Sequence, residues 1–172
     1  MQAATSHSSE CIETALPCQV GCVRDGWTEF LKRWPWELFV TLTYREEPGH
    51  PEIADKQYRV LVNKVNRQLY GSRWQKKDQG IISIRAAERQ QRGTLHFHAL
   101  WGQTQDSGND KEARFAWMDE WNEIAGYARI YPIEREEAVR RYVSKYVVKG
   151  GELTMEGAFN TPLLPFQGAR CK

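Results

Sequence analysis

Apolar positions along the chain alternate between a period of two and a helical period, and the switches mark out the elements. Residues 36–44 contain the run Leu38-Phe39-Val40-Thr41-Leu42-Thr43-Tyr44, which predicts a buried strand. Over 54–70, Tyr58, Leu61, Val62, Val65 and Leu69 share one helical face, and Gly71 ends the helix. Residues 80–88 predict a second strand, Gln90-Gln91-Arg92-Gly93 a hairpin turn, and 94–101 a third strand. Trp117, Met118, Trp121, Ile124 and Ala125 make one stripe of a second helix over 111–125. Residues 127–133 alternate as a fourth strand. A third helix over 134–149 has Glu134, Glu136 and Glu137 near the positive end of its dipole. The order β-α-β-β-α-β-α predicts an α+β domain, RRM-like or ferredoxin-like, with helices packed on one face of a central antiparallel sheet.

The flanks are less patterned. Residues 1–23 are rich in Ser, Thr, Ala and Cys and read as a loose arm. A short helix over 24–34 carries Trp27, Phe30, Leu31 and Trp34 at helical spacing and is stopped by Pro35. Residues 151–172 read as a C-terminal loop or tail, which leaves 24–150 as the folded domain.

Composition narrows the function. The chain has 172 residues, 41% hydrophobic and 27% charged, enough to bury one core. Lys and Arg total 24 against 22 Asp and Glu, so binding through bulk positive charge is excluded and any nucleic-acid contact must use a local patch. No apolar run approaches the roughly 20 residues of a membrane span. The first residues lack the basic start and apolar stretch of a secretory signal, so a cytoplasmic location is expected, with the four cysteines as reduced thiols. Zinc bound by Cys11, Cys18 and Cys22 with His7 is the alternative, although the spacing is not a standard zinc pattern. The chain contains no G-x-x-x-x-G-K-[ST] phosphate loop.

Two clusters carry candidate chemistry. Within Leu95-His96-Phe97-His98-Ala99, residues two apart point to the same face, so His96 and His98 project together and suit chelation of one divalent ion. Glu88, at the end of the preceding strand, falls opposite them across the hairpin. It can complete the ligand set or pair with a neighbouring arginine. Arg89 and Arg92 can touch a phosphate backbone or simply form a polar turn. The second cluster is the third helix, where Tyr142 and Tyr146 share a face, with Lys145 and Lys149 each three residues further on. A phenol, with a pKa of roughly 10, needs a nearby cation to act as a nucleophile. The bland alternative is a core helix with snorkelling lysines. A stretch of basic residues between Lys56 and Lys77 includes Arg73 and Lys76 beside Trp74, where a strand can be tracked and a base stacked.

Taken together, these segments resemble the HUH endonucleases that initiate rolling-circle replication. Phe39 to Tyr44 looks like the first motif of that superfamily, His96-Phe97-His98 its His-hydrophobic-His motif, and Val139-Arg140-Arg141-Tyr142-Val143-Ser144-Lys145 its tyrosine motif. The second tyrosine, Tyr146, is similar to the two-tyrosine branch of phages and some transposases. The resemblance implies an RRM-like fold and a Mg or Mn ion held by His96, His98 and Glu88. It implies attack by Tyr142 on single-stranded DNA at an origin, forming a 5′-phosphotyrosine link and freeing a 3′-hydroxyl for a polymerase. Tyr146 would make the second attack, Lys145 would offset charge at the phosphate, and Arg73, Lys76, Arg89, Arg92 and Lys149 would contact DNA. The chain carries no helicase domain, so a host helicase and a host polymerase are implied, in a cell that harbours a phage or plasmid. The alternatives are a transposase or mobilisation relaxase of the same chemistry, and a non-catalytic RRM-like module binding nucleic acid.

Overall fold

The computed structural model describes residues 15–89, 93–147, 152–157 and 159, with side chains for all of these but 15–20 and 135. In chain order the elements are α1 (Ala15–Leu31), β1 (Trp36–Tyr44), α2 (Pro51–Tyr70), β2 (Ile82–Arg89), β3 (Leu95–Gly102), α3 (Lys111–Ile124), β4 (Gly126–Pro132), α4 (Arg135–Tyr142) and β5 (Leu153–Glu156). The strands form one antiparallel sheet in the order β4-β1-β3-β2-β5. This is the expected α+β class, consistent with an RRM-like arrangement.

Strand β1 shows why the sheet has two different faces. Leu38, Val40, Leu42 and Tyr44 are buried, with partly buried residues between them. They join Phe97, Ala99 and Trp101 of β3 under α2 and α3. A register shift between Trp36 and Leu38 turns Trp36 to the opposite face. There it packs with Leu31, Trp34, Ile84, Leu100, Val139 and Tyr142, beneath α1 and α4. The helices therefore cover both faces, not one as expected. Sequence order does not specify which face a flanking helix takes, and α1 and α4 have apolar stripes of their own to bury.

Other differences are local. Helix α1 starts at Ala15, inside the segment read as a loose arm. The segment read as a tail supplies β5, a four-residue half-buried edge strand too short to show a period. Helix α2 begins three residues early because His50 caps it, accepting from the Glu52 amide at 3.3 Å. The third helix does not run regularly to residue 149. Helix α4 ends at Tyr142 and continues as a π turn over Val143–Val147, a form often found at functional sites. Cys22 is disulfide-bonded, which corrects the expectation of a reduced thiol. That expectation rested on compartment, whereas a disulfide depends on which thiols the fold brings together.

The larger core is held by aromatic side chains whose polar atoms are satisfied. The Trp101 indole donates to the Tyr58 hydroxyl at 2.9 Å, and the Trp121 indole to the Thr43 carbonyl at 3.2 Å. Trp101 is fully buried beneath the central strands. Trp101→Ala is expected to cost about 3–5 kcal/mol of unfolding free energy, read as a shifted urea midpoint with unchanged slope. A loss under about 1 kcal/mol would mean that the core closes over the gap.

Candidate active site

The face shared by α1 and α4 is covered on its β2 side only. On the rest of it, paired strands align side chains in rows. Glu88, His96, Thr43 and Tyr127 make one row, and Ala86, His98, Thr41 and Arg129 the next. Period-two alternation puts these residues on one face, opposite the Phe97 core.

Each histidine is oriented by the strand beside it. Thr43 Oγ1 lies 3.0 Å from His96 Nδ1, and Thr41 Oγ1 lies 3.2 Å from His98 Nδ1. The two rings are nearly parallel, with centroids 6.2 Å apart. A threonine hydroxyl can donate to Nδ1 or accept from it, so the tautomer can change without moving the ring. The sequence reading quoted these threonines in a motif but gave them no role. Their positions two apart on a strand next to a His-x-His strand were the available signal.

Glu88 is bound by two cationic or polar partners. Its Oε2 lies 3.2 Å from His98 Nε2 and 3.5 Å from Lys145 Nζ. Of the two pairings foreseen for Glu88, the one seen is with the histidine strand. Burial, reinforced by the Lys145 charge, holds His98 down to a pKa of about 4 against the opposing pull of Glu88. His98 is therefore neutral near pH 7, with a lone pair to offer a cation.

The two tyrosines face the site differently. The Tyr146 ring stacks on the His98 ring, with centroids 4.8 Å apart and planes 21° apart. Lys145 Nζ sits 4.8 Å from the centre of the Tyr146 ring. Burial raises the Tyr146 phenol above its ordinary value, and hydrogen bonding to Lys145 pulls it back. Tyr142 is 0% exposed, and its hydroxyl lies 3.2 Å from the His98 carbonyl and 3.3 Å from the Ile84 carbonyl. Burial pushes its phenol well above the ordinary range. The sequence reading gave Tyr142 the first attack; the structure sets its oxygen among backbone carbonyls.

The expected DNA contacts are scattered. Arg89 is held by Glu47 and by the Gly93 carbonyl at 3.2 Å. Arg73 and Lys76 lie between α2 and β2, before the end of β2 where the strand starts, whereas Glu88 lies near its other end. Helix α2 covers the face opposite the histidines, so this basic stretch does not adjoin them. Within it, Lys64 pairs with Glu120, and Arg59 with Glu156 at 3.2 Å. Arg92 and Lys149 lie outside the described residues.

Among the described residues, no group of three or more His, Cys, Asp or Glu side chains forms a ready cation cage. The donor chemistry nevertheless fits a divalent ion. Two imidazoles with Nδ1 fixed by hydroxyls and one adjoining carboxylate match the carboxylate and histidine ligands such ions take, with oriented outer partners.

An RRM-like sheet that presents paired histidines and a carboxylate to a tyrosine-lysine turn defines the class of protein. The family model for the replication-associated protein ORF2 matches residues 37–151, from β1 past the π turn, and the chain belongs to that family. Membership is consistent with a replication initiator that has nucleic acid as its partner. No curated protein and no solved structure matched the chain. Among the described residues, no helix is long and apolar enough to cross a membrane.

Proposed function

We propose that this chain is a single-strand DNA nicking and joining enzyme of the HUH, two-tyrosine type, which opens an origin for rolling-circle replication. The observation that carries the reading is the unbroken contact from Glu88 to His98 and Lys145, and from His98 to the Tyr146 ring. A nucleophile, a cation and a candidate ligand set adjoin on one sheet face.

Tyr146 makes the first attack. Its oxygen forms a bond to phosphorus as the bond from phosphorus to the 3′-oxygen breaks. The phenol gives up its proton, the departing 3′-oxygen takes one up, and a 5′-phosphotyrosine link remains. Lys145 lowers the cost of the phenolate by placing an ammonium beside it. Tyr142 supports the His98 carbonyl and takes the second transfer once the π turn shifts. His96, His98 and Glu88 would hold Mg or Mn, which when bound would polarise the scissile phosphate. A host helicase and polymerase complete the cycle.

The test uses the full chain with a 3′-labelled pool of random single-stranded DNA and Mn, followed by denaturing electrophoresis. A labelled band at the protein's mass is expected, and its absence with both Mn and Mg overturns the proposal. Thr41→Val removes the hydroxyl that orients His98 while keeping the shape. It is expected to weaken Mn binding about tenfold or more by calorimetry. Unchanged affinity would confine Thr41 to packing.

A further inference from the structure

The uncovered face continues past the histidines onto β4, an edge strand bonded to β1 alone among the described strands. Along it Gly126, Ala128 and Ile130 are buried and Tyr127, Arg129 and Tyr131 are exposed. Tyr127 is 57% and Tyr131 53% exposed, among the few large apolar side chains left open on this protein. Two aromatic rings held in water on one strand face, flanking a guanidinium, do not serve the core. The Arg129 guanidinium lies 5.5 Å from the Tyr127 ring centre, and its Nε donates to the Tyr127 hydroxyl at 3.3 Å. That contact holds the two side chains in register.

Register ties this stripe to the site. Tyr127 stands opposite Thr43, which orients His96, and Arg129 stands opposite Thr41, which orients His98. Two strand spacings, about 10 Å, separate β4 from β3. The four residues from Tyr127 to Tyr131 span about 13 Å. Charge points to one kind of occupant, since a cation between two aromatic faces complements a chain of phosphates bearing unpaired bases.

We propose that Tyr127, Arg129 and Tyr131 form a stacking platform that seats single-stranded DNA beside the cleavage site. Bases stack on Tyr127 and Tyr131, and Arg129 meets a phosphate between them. A duplex is excluded because its bases already stack on one another. The proposal deepens the nicking reading and rests on it for the role of the adjoining site.

The test measures fluorescence anisotropy of a labelled random-sequence single strand with the full chain in EDTA, so that binding is read without cleavage. Tyr127→Ala and Tyr131→Ala are each expected to weaken binding at least about fivefold, while Tyr→Phe at either position stays within about twofold of the unsubstituted protein. Arg129→Ala is expected to reduce the salt slope by about 0.7. Phe115→Ala, an exposed aromatic change on α3, serves as the control and leaves binding unchanged. Alanine variants that bind like the unsubstituted protein, or equal competition by duplex DNA, would overturn the platform. The adduct assay on the unsubstituted protein separates the two ideas. An adduct with unaffected alanine variants sinks the platform alone. Weakened alanine variants without any adduct uphold the platform and sink the nicking reading.

Discussion

Tyr146→Phe abolishes the covalent protein–DNA adduct, and Tyr142→Phe retains it. Phe keeps the ring that stacks on His98, so the loss at position 146 reports the missing oxygen rather than a collapsed site. Without a nucleophile the band falls at least about a thousandfold, equivalent to about 4 kcal/mol of barrier. Tyr142→Phe acts on stability instead. It removes a hydroxyl that lies within hydrogen-bond reach of two buried carbonyls. Losing that partner costs about 1–3 kcal/mol, seen as a lower denaturation midpoint with the first adduct intact. The later joining step, followed by release of closed circles, is expected to fail in Tyr142→Phe. The reverse pattern would return the first attack to Tyr142 and require the π turn to move before cleavage. An adduct from the doubly substituted protein would show that neither phenol is the nucleophile.

The residues of this site were largely legible because they follow local periods. His96 and His98 share a face by strand alternation alone, and Glu88 meets them because a short hairpin fixes the register between β2 and β3. The division of labour between the tyrosines was not legible. Helical spacing puts positions 142 and 146 on one face, but a π turn adds a residue to the ring and changes how each side chain meets the sheet. No sequence pattern announces such a turn. The exposed stripe on β4 was passed over for another reason. Alternation at 127–133 was recognised, yet the identity of the outward face depends on which side of the sheet α3 covers. Once Ala128 and Ile130 are known to face α3, the tyrosines must face the histidine side. The basic stretch between Lys56 and Lys77 misled in the opposite sense, because charge density along a chain does not say which face of the sheet its helix packs on.

Chelation is expected to have the second large effect. EDTA removes the adduct from the unsubstituted protein, and Mn or Mg added in excess restores it. His98→Ala should lower adduct yield by about a hundredfold to ten-thousandfold, the range that loss of a few kcal/mol of charge stabilisation gives. His98 also stacks on Tyr146, so its removal both empties a ligand position and loosens the nucleophile. Calorimetry with Mn separates these contributions. Loss of Mn heat in His98→Ala and His96→Ala assigns both as ligands, and unchanged heat assigns them to positioning. Glu88→Ala should weaken Mn binding about tenfold or more and also release Lys145, the cation it holds next to Tyr146. Excess Mn should then recover adduct formation in Glu88→Ala but not in His98→Ala, because only the histidine serves as both ligand and stacking partner. Full activity of the unsubstituted protein in EDTA would refute a role for metal and leave Lys145 as the charge that assists the tyrosine.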